Sequence, residues 1–395
     1  MRWSMHTVRL ATVVAFATVI GLLAGGPASA AVGGRSPALG CRTSAVPAAR
    51  SGPAGTAAWT TTRVRTLGDF GNGGGLAVAD DQHATIVTMD DEVSWAIPTS
   101  DGGASWDPRV RLTAAGWRVQ SSAVTQRGLD VDVANAAFKG DTDRILVRHS
   151  PDGGVTWEPT VKLPGVVFNP VIARGSGGLV VVTSAPDPAV RVRISRDGGA
   201  TFGKAVKIGA YKPGPGCAYE PGRTGIAISG RVVLVVHWRN ETRLILHRST
   251  DGGRTWAPAV GLRTGTQGQD TIGLAVAGSQ VLLAFQSGPD MITRLSTDRG
   301  ASWSSPVSFK AGGYGFALAR SGGAWRIAYE RGRAVRYRSS ASGLSWSAEE
   351  TVATRPAADD ATPIGVGVVG GGPVVPWVHY RSDADDETLE WSARS

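Results

Sequence analysis

An eight-residue phrase returns along this chain at nearly even spacing, and it limits the possible fold more than any other feature. It reads TSDGGASW at 99–106, SPDGGVTW at 150–157, SRDGGATF at 195–202, STDGGRTW at 249–256 and STDRGASW at 296–303. A worn copy, SSASGLSW, stands at 339–346 and puts Ala341 where the others have Asp. Such a period marks an array of like supersecondary units, each too small to bury its own apolar face. Residues common to every copy therefore carry architecture, and function has to be sought elsewhere.

The segments before the phrase alternate apolar and polar residues (RILVRHS, VRVRISR, AVRYRSS), and so do those after it (VRL, VKL, VKI, VSF). Period two is the signature of strands, and Asp-Gly-Gly between them is turn chemistry. The Asp accepts hydrogen bonds from N–H groups of its own turn, and the glycines take the positive φ the turn needs. The closing Trp or Phe is a large apolar wedge. Helical periodicity is absent.

The pattern Ser-x-Asp-x-Gly-x-Thr-Trp resembles the Asp-box of the BNR repeat, found in sialidases and several other propeller families. The resemblance spans essentially the whole chain beyond the N-terminal region. It implies a β-propeller in which Asp101, Asp152, Asp197, Asp251 and Asp298 each organise the turn between the third and fourth strands of a blade.

The closing aromatics are Trp106, Trp157, Phe202, Trp256, Trp303 and Trp346. A seventh is split between the chain ends. WTTTRVRTL, beginning at Trp59, matches the strands that follow the phrase, while the terminal TLEWSARS matches those that precede it. The expected fold is all-β: a seven-bladed propeller of four-stranded blades, closed by the N-terminal strand completing the C-terminal blade. Closure of this kind hides sheet edges. Six blades, as in sialidases, is the alternative.

MRWSMHTVRL, the apolar run ATVVAFATVIGLLAG and the small residues ending Ala28-Ser29-Ala30 read as a secretory signal peptide over 1–30, cleaved near Ala30. The run is short for a membrane span. Residues 31–58, rich in Ala, Gly, Pro and Ser, read as a flexible tail, and 59–395 as one propeller domain. The composition fits a high-GC bacterial source. The protein is expected to be secreted and monomeric. An even cysteine count in an export product allows a Cys41–Cys217 disulfide, and the tail from Cys41 to Trp59 reaches roughly 55–60 Å when extended. Formal net charge is +9, which favours acidic glycans or anionic polymers as partners unless it serves solubility alone. No nucleic-acid motif is present. The histidines form no metal pair at helical or finger spacing, and no cofactor fingerprint occurs in context. Hence no metal, cofactor or nucleic acid is expected.

Function is expected on the loops opposite the repeated turns, which escape the structural demands of the repeat. The largest departure from the repeat is GAYKPGPGCAYEPGRTG at 209–225, holding Tyr219, Glu220 and Arg223. Other loops on this face add Trp117, Trp238, Arg239, Asn240 and Asp270. Sialidase chemistry uses a Tyr nucleophile, a Glu that activates it and arginines that hold the substrate carboxylate. By that resemblance Tyr219, Glu220 and Asp270 are the catalytic candidates and Arg223 a ligand-binding one. Trp117, Trp238, Arg239 and Asn240 are candidate contacts in either case. The sialidase Arg-Ile-Pro motif is missing; the nearest string is Trp95-Ala96-Ile97-Pro98, which abuts a repeated turn. The preferred reading is therefore a binding protein for a glycan, a cell-wall polymer or another protein. The alternative is a sialidase-like exo-acting glycoside hydrolase.

Overall fold

The computed structural model describes residues 58–68, 72–165, 169–184, 189–211, 224–240, 242–263, 268–313, 315–356, 359–381 and 387–394. The signal-peptide and tail assignments, Cys41 and Cys217 lie outside them. Every regular element among the described residues is a strand. After β1 (Trp59–Leu67) come antiparallel sets of four. The first is β2 (Asn72–Val78), β3 (Ala84–Asp90), β4 (Val93–Thr99) and β5 (Val110–Arg111). The second is β6 (Arg118–Arg127), β7 (Asp130–Lys139), β8 (Thr142–Ser150) and β9 (Val161–Pro164), joined to the first by a short parallel pairing of β2 with β6.

The third set is β10 (Val171–Arg174), β11 (Val180–Ser184), β12 (Ala189–Ser195) and β13 (Val206–Ala210). The fourth is β14 (Thr224–Ser229), β15 (Val232–Asn240), β16 (Arg243–Ser249) and β17 (Val260–Arg263). The fifth is β18 (Gly268–Ala277), β19 (Gln280–Ser287), β20 (Asp290–Ser296) and β21 (Val307–Lys310). The sixth is β22 (Phe316–Ser321), β23 (Ala324–Arg331), β24 (Ala334–Ser340) and β25 (Glu350–Thr354). In the last sheet β26 (Asp360–Pro363) and β27 (Gly367–Val369) both pair with β28 (Gly372–Tyr380), which pairs with β29 (Glu387–Arg394). The outer partner of β29 is β1, from Trp59↔Arg394 to Leu67↔Glu387. Consecutive sheets meet through their first strands, β6 with β10, β10 with β14, β14 with β18 and β18 with β22; β27 touches both β22 and β2. This all-β arrangement is consistent with a β-propeller.

The cores lie between sheets. In β15, VVLVVHWRN, alternate side chains serve two different neighbours. Leu234, Val236 and Trp238 join Val281, Leu283 and Phe285 of β19. Val233 and Val235 join Val181 and Val192 of the preceding sheet. Burial on both faces explains the unbroken apolar run. The aromatic closing each repeated phrase packs into the interface with the sheet before its own. Trp106 meets Trp391 of β29 edge-on at 5.0 Å, Trp157 joins Val87 and Ala96, and Trp346 donates its Nε1 proton to Thr293 at 3.2 Å. Trp59 does the same from the N-terminal strand, meeting Tyr337 edge-on at 5.3 Å.

The repeated turn has one chemistry in five copies. In the fourth, Ser249 donates to Asp251 Oδ1 at 2.8 Å and accepts Gly253 N–H at 2.8 Å. Asp251 accepts Thr255 N–H at 2.9 Å and its hydroxyl at 2.6 Å. The second Gly lies flush on the sheet before: a Cβ on Gly103, whose φ is +87°, would fall 2.8 Å from the Trp391 ring. The worn copy corrects the sequence alignment. Ser340 pairs with Trp325 as Ser296 pairs with Val281. Yet Gly343 N–H reaches Ser340 Oγ three residues back, where Gly300 N–H reaches Ser296 Oγ four back. The copy is one residue short, so Ser342, not Ala341, takes the aspartate's place, accepting Leu344 N–H at 3.1 Å.

These hydrogen bonds lower the carboxyl pKa values. Asp101, Asp197 and Asp298 fall to about 2, in each case first through the hydroxyl that closes the turn; Asp251 falls for the same reason. A depressed folded pKa gives stability that is present above the unfolded value of 3.8 and is lost as pH falls through the folded one. Asp251→Ala should lower the melting temperature at pH 7, and the gap to wild type should close as the pH drops from about 4 toward 2. Thermal unfolding across that range is the check; a gap of constant size would show that the charge is immaterial.

On the turn side, the second and third sheets are clamped by a buried ion pair. Arg174 at the end of β10 grips Asp132 of β7 through Nε and Nη2, the latter at 2.7 Å from Oδ1, and donates to Gly198 O at 2.8 Å. Asp132 is fully buried and Arg174 is 5% exposed. His149 lies 3.1 Å from the same carboxylate, and that hydrogen bond raises its pKa against the opposing effect of burial.

Candidate functional site

Strand direction divides each sheet's connections between two ends. The repeated turns lie at one end. The hairpins joining second to third strands and the crossings to the next sheet lie at the other, here called the loop end. Residues 212–223, and with them Tyr219, Glu220, Arg223 and Cys217, lie outside the described residues. Asp270 belongs to the backbone of β18. On β13, Gly209 seats so tightly on the buried His237 and His247 that a Cβ there would lie 2.4 Å from His237 Nε2. The two Nε2 atoms are 3.1 Å apart. Burial lowers both pKa values, His247 to about 4, so the pair is neutral at pH 7 with one ring donating to the other.

The four remaining candidates separate. Trp238 does not face solvent. It is 3% exposed and meets Phe285 edge-on at 5.9 Å, so it is a core residue. Arg239, next along, is exposed. Asn240 Oδ1 accepts Thr242 N–H at 3.2 Å and shapes the hairpin. Trp117, on the crossing before β6, is half-buried over Ala137 and Leu146, with the Lys162 ammonium 5.9 Å from its ring. Exposed Ala115, Gly116 and Gln120 flank it.

Four acidic side chains at the loop end are tied to cations. Asp90 holds Arg109, whose guanidinium stacks 3.8 Å from the Trp95 ring. Glu92 holds Arg118, Asp290 lies 2.8 Å from Lys310 Nζ, and Glu330 holds Arg355. Burial raises the Glu330 pKa while Arg355 opposes it. Asp91 and Glu92 turn the β3–β4 hairpin with φ of +51° and +60°, a left-handed pair that costs L residues strain. The salt bridges at Asp90 and Glu92 hold that turn in place.

The chemistry of a sialidase site also occurs where the sequence did not point. Tyr329 of β23 donates its hydroxyl proton to Glu349 at 2.7 Å. Arg331 Nη1 donates to both Glu349 oxygens at 3.2 and 3.1 Å. Arg336 Nε and Arg338 Nη2 stand 3.7 and 3.9 Å from the same carboxylate. This Tyr–Glu–Arg cluster sits on the outer flank of the sixth sheet, against Phe309 of the outer strand β21. Tyr329 is fully buried, burial pushes its pKa up, and Arg338 Nε donates to its oxygen at 2.9 Å. No face of the phenol is open to a sugar carbon. The signals were YER at 329–331, RYR at 336–338 and the Glu after the worn phrase. They lie on three different stretches of chain, and the pairing of β24 with β23 on one side and β25 on the other brings them together.

Among the described residues no group of three or more His, Cys, Asp or Glu is placed to hold a metal ion, and no helix is long and apolar enough to cross a membrane.

No family model and no curated protein matches the chain. Solved structures of similar fold include a protein of unknown function from Dyadobacter fermentans, at 11% identity over 85% of this chain and 99% of that one, with TM-score 0.49. SapL1 lectin in complex with alpha methyl fucoside is 14% identical over 73% and 97%, TM-score 0.48. Trypanosoma rangeli sialidase with the inhibitor DANA is 11% identical over 83% of this chain and 55% of the sialidase, TM-score 0.47. These likenesses concern the fold and assign no residue a role.

Proposed function

We propose that this is a secreted glycan-binding protein whose sheets are the seven blades of an Asp-box propeller, closed by β1, and that it binds its ligand at the loop end without cleaving it. The ring reading is supported by the contacts running from β2 round to β27 and back to β2. The observation that carries the binding reading is Trp117. A partly exposed indole offers the edge of a flat apolar face to the C–H side of a sugar ring, and the Lys162 ammonium beside it supplies hydrogen-bond donors. Against hydrolysis stands the state of the acids: Asp90, Glu92, Asp290 and Glu330 are ion-paired, and the Tyr329–Glu349 pair is shut from substrate.

A glycan array tests the reading. On the glycan bound best, Trp117→Ala should weaken affinity at least about tenfold, roughly 1.4 kcal/mol, with the melting temperature little changed. Unchanged affinity in a folded Trp117→Ala protein removes Trp117 from the site, and an array with no hit overturns glycan binding.

A further inference from the structure

The flank cluster carries more positive charge than its one carboxylate balances. Three guanidiniums, Arg331, Arg336 and Arg338, surround Glu349 alone. The neighbouring Glu350 is engaged elsewhere, by Arg394 at 2.8 Å and Trp59 Nε1 at 3.1 Å. Tyr329 stays neutral because burial raises its pKa. The cluster thus holds a net charge of about +2, since arginine is always protonated.

Its donors also outnumber its acceptors. Each guanidinium carries five N–H bonds. Arg338 is largely used: Nε on Tyr329, Nη1 on the Ser347 carbonyl, and its plane over Phe309 at 5.0 Å. The same position in other sheets is also structural, since Arg148 and Arg294 likewise bind carbonyls just past the closing aromatic. Arg331 and Arg336 are different. Arg331 spends Nη1 on Glu349, and Arg336 spends Nη1 on Thr351 Oγ1 while its buried Nε faces Glu349 at 3.7 Å. They are also the more open pair, 38% and 27% exposed against 17% for Arg338. Glu349 draws them toward one point from the inside and leaves their outer edges to solvent.

We propose that Arg331 and Arg336 form a second ligand site, which binds an oxyanion, a sulfate or carboxylate, borne by an acidic polysaccharide. Planar guanidiniums match such groups in a bidentate way. A shallow flank that cannot enclose a free ion suits a group presented on a polymer, and the chain's net charge of +9 draws polyanions toward it. The site is separate from the Trp117 surface, so either can fail alone.

The test is calorimetric titration at fixed ionic strength with three probes: a sulfated disaccharide, its desulfated counterpart and inorganic sulfate. The sulfated sugar should bind at least about tenfold more tightly than the desulfated one, and more tightly than inorganic sulfate. Arg331→Gln/Arg336→Gln should abolish that preference, while Trp117→Ala leaves it intact. Should the double variant not fold, Arg331→Gln alone, at the most exposed of the three, should weaken the sulfated sugar several-fold. No preference for the sulfated sugar, or a preference that survives these changes in folded protein, overturns the site. Equal affinity for inorganic sulfate overturns the polysaccharide as its source.

Discussion

A chain that begins at Gly68, lacking β1, should aggregate rather than run as a monomer. β1 pairs with β29 along its whole length, and its removal leaves TLEWSAR with a row of unpaired N–H and C=O groups. An open apolar edge of that kind templates pairing with other chains. Three further contacts would go with it: the Trp59 wedge on Tyr337, the Trp59 Nε1 bond to Glu350, and Leu67, which is 1% exposed in the core shared with Leu389 and Trp391. Size-exclusion chromatography with thermal unfolding is the measurement. A truncated protein that stays monomeric and melts as wild type does would mean that β29 does not need its outer partner.

Asp132→Ala should cost about 3–5 kcal/mol, because it removes both carboxylate hydrogen bonds from the buried Arg174 guanidinium and leaves only the longer ion pair to Asp130, at 3.8 Å, to balance its charge. Arg174 is 5% exposed and its carboxylate partner wholly buried, so water cannot replace the lost bonds. The paired change Asp132→Leu/Arg174→Met should recover most of that loss, since apolar residues of similar volume can replace a buried ion pair with little net penalty. Equilibrium urea unfolding of the three proteins decides it. A double variant as unstable as the single one would mean that the Gly198 carbonyl, left without its donor, matters more than the buried charge.

Much of this architecture was legible in the sequence because the repeated turn writes one local chemistry many times. Ser, Asp, Gly and Thr stand at spacings that let a single carboxylate organise the turn, and each Trp is read as a wedge by its place in the phrase. Trp59 was found by matching strands with no turn attached. The worn copy was misread by one residue. An alignment of equal lengths cannot see a deletion, whereas the register of Ser340 on Trp325 can. Trp238 was misread for a different reason. In a sheet packed on both sides, a strand end with Arg239 beside it looks like a loop, and parity no longer distinguishes core from surface. The loop-end ion pairs and the Tyr329 cluster were not legible, because their partners come from separate strands that only packing brings together. His237 and His379 both lie late in the second strands of their sheets but have different partners: His247 for one, and for the other Asp359, 2.8 Å away. Those partners come from outside the repeated phrase.

The central claim is that the protein holds a glycan and leaves it whole. The most direct measurement is mass spectrometry of the glycan bound best on the array, after prolonged incubation with wild type and with Glu220→Gln. The account predicts intact glycan with both proteins and similar affinity for each. Release of a terminal sugar by wild type, lost in Glu220→Gln, would contradict it and make the chain an exo-acting glycoside hydrolase working through the 209–225 segment.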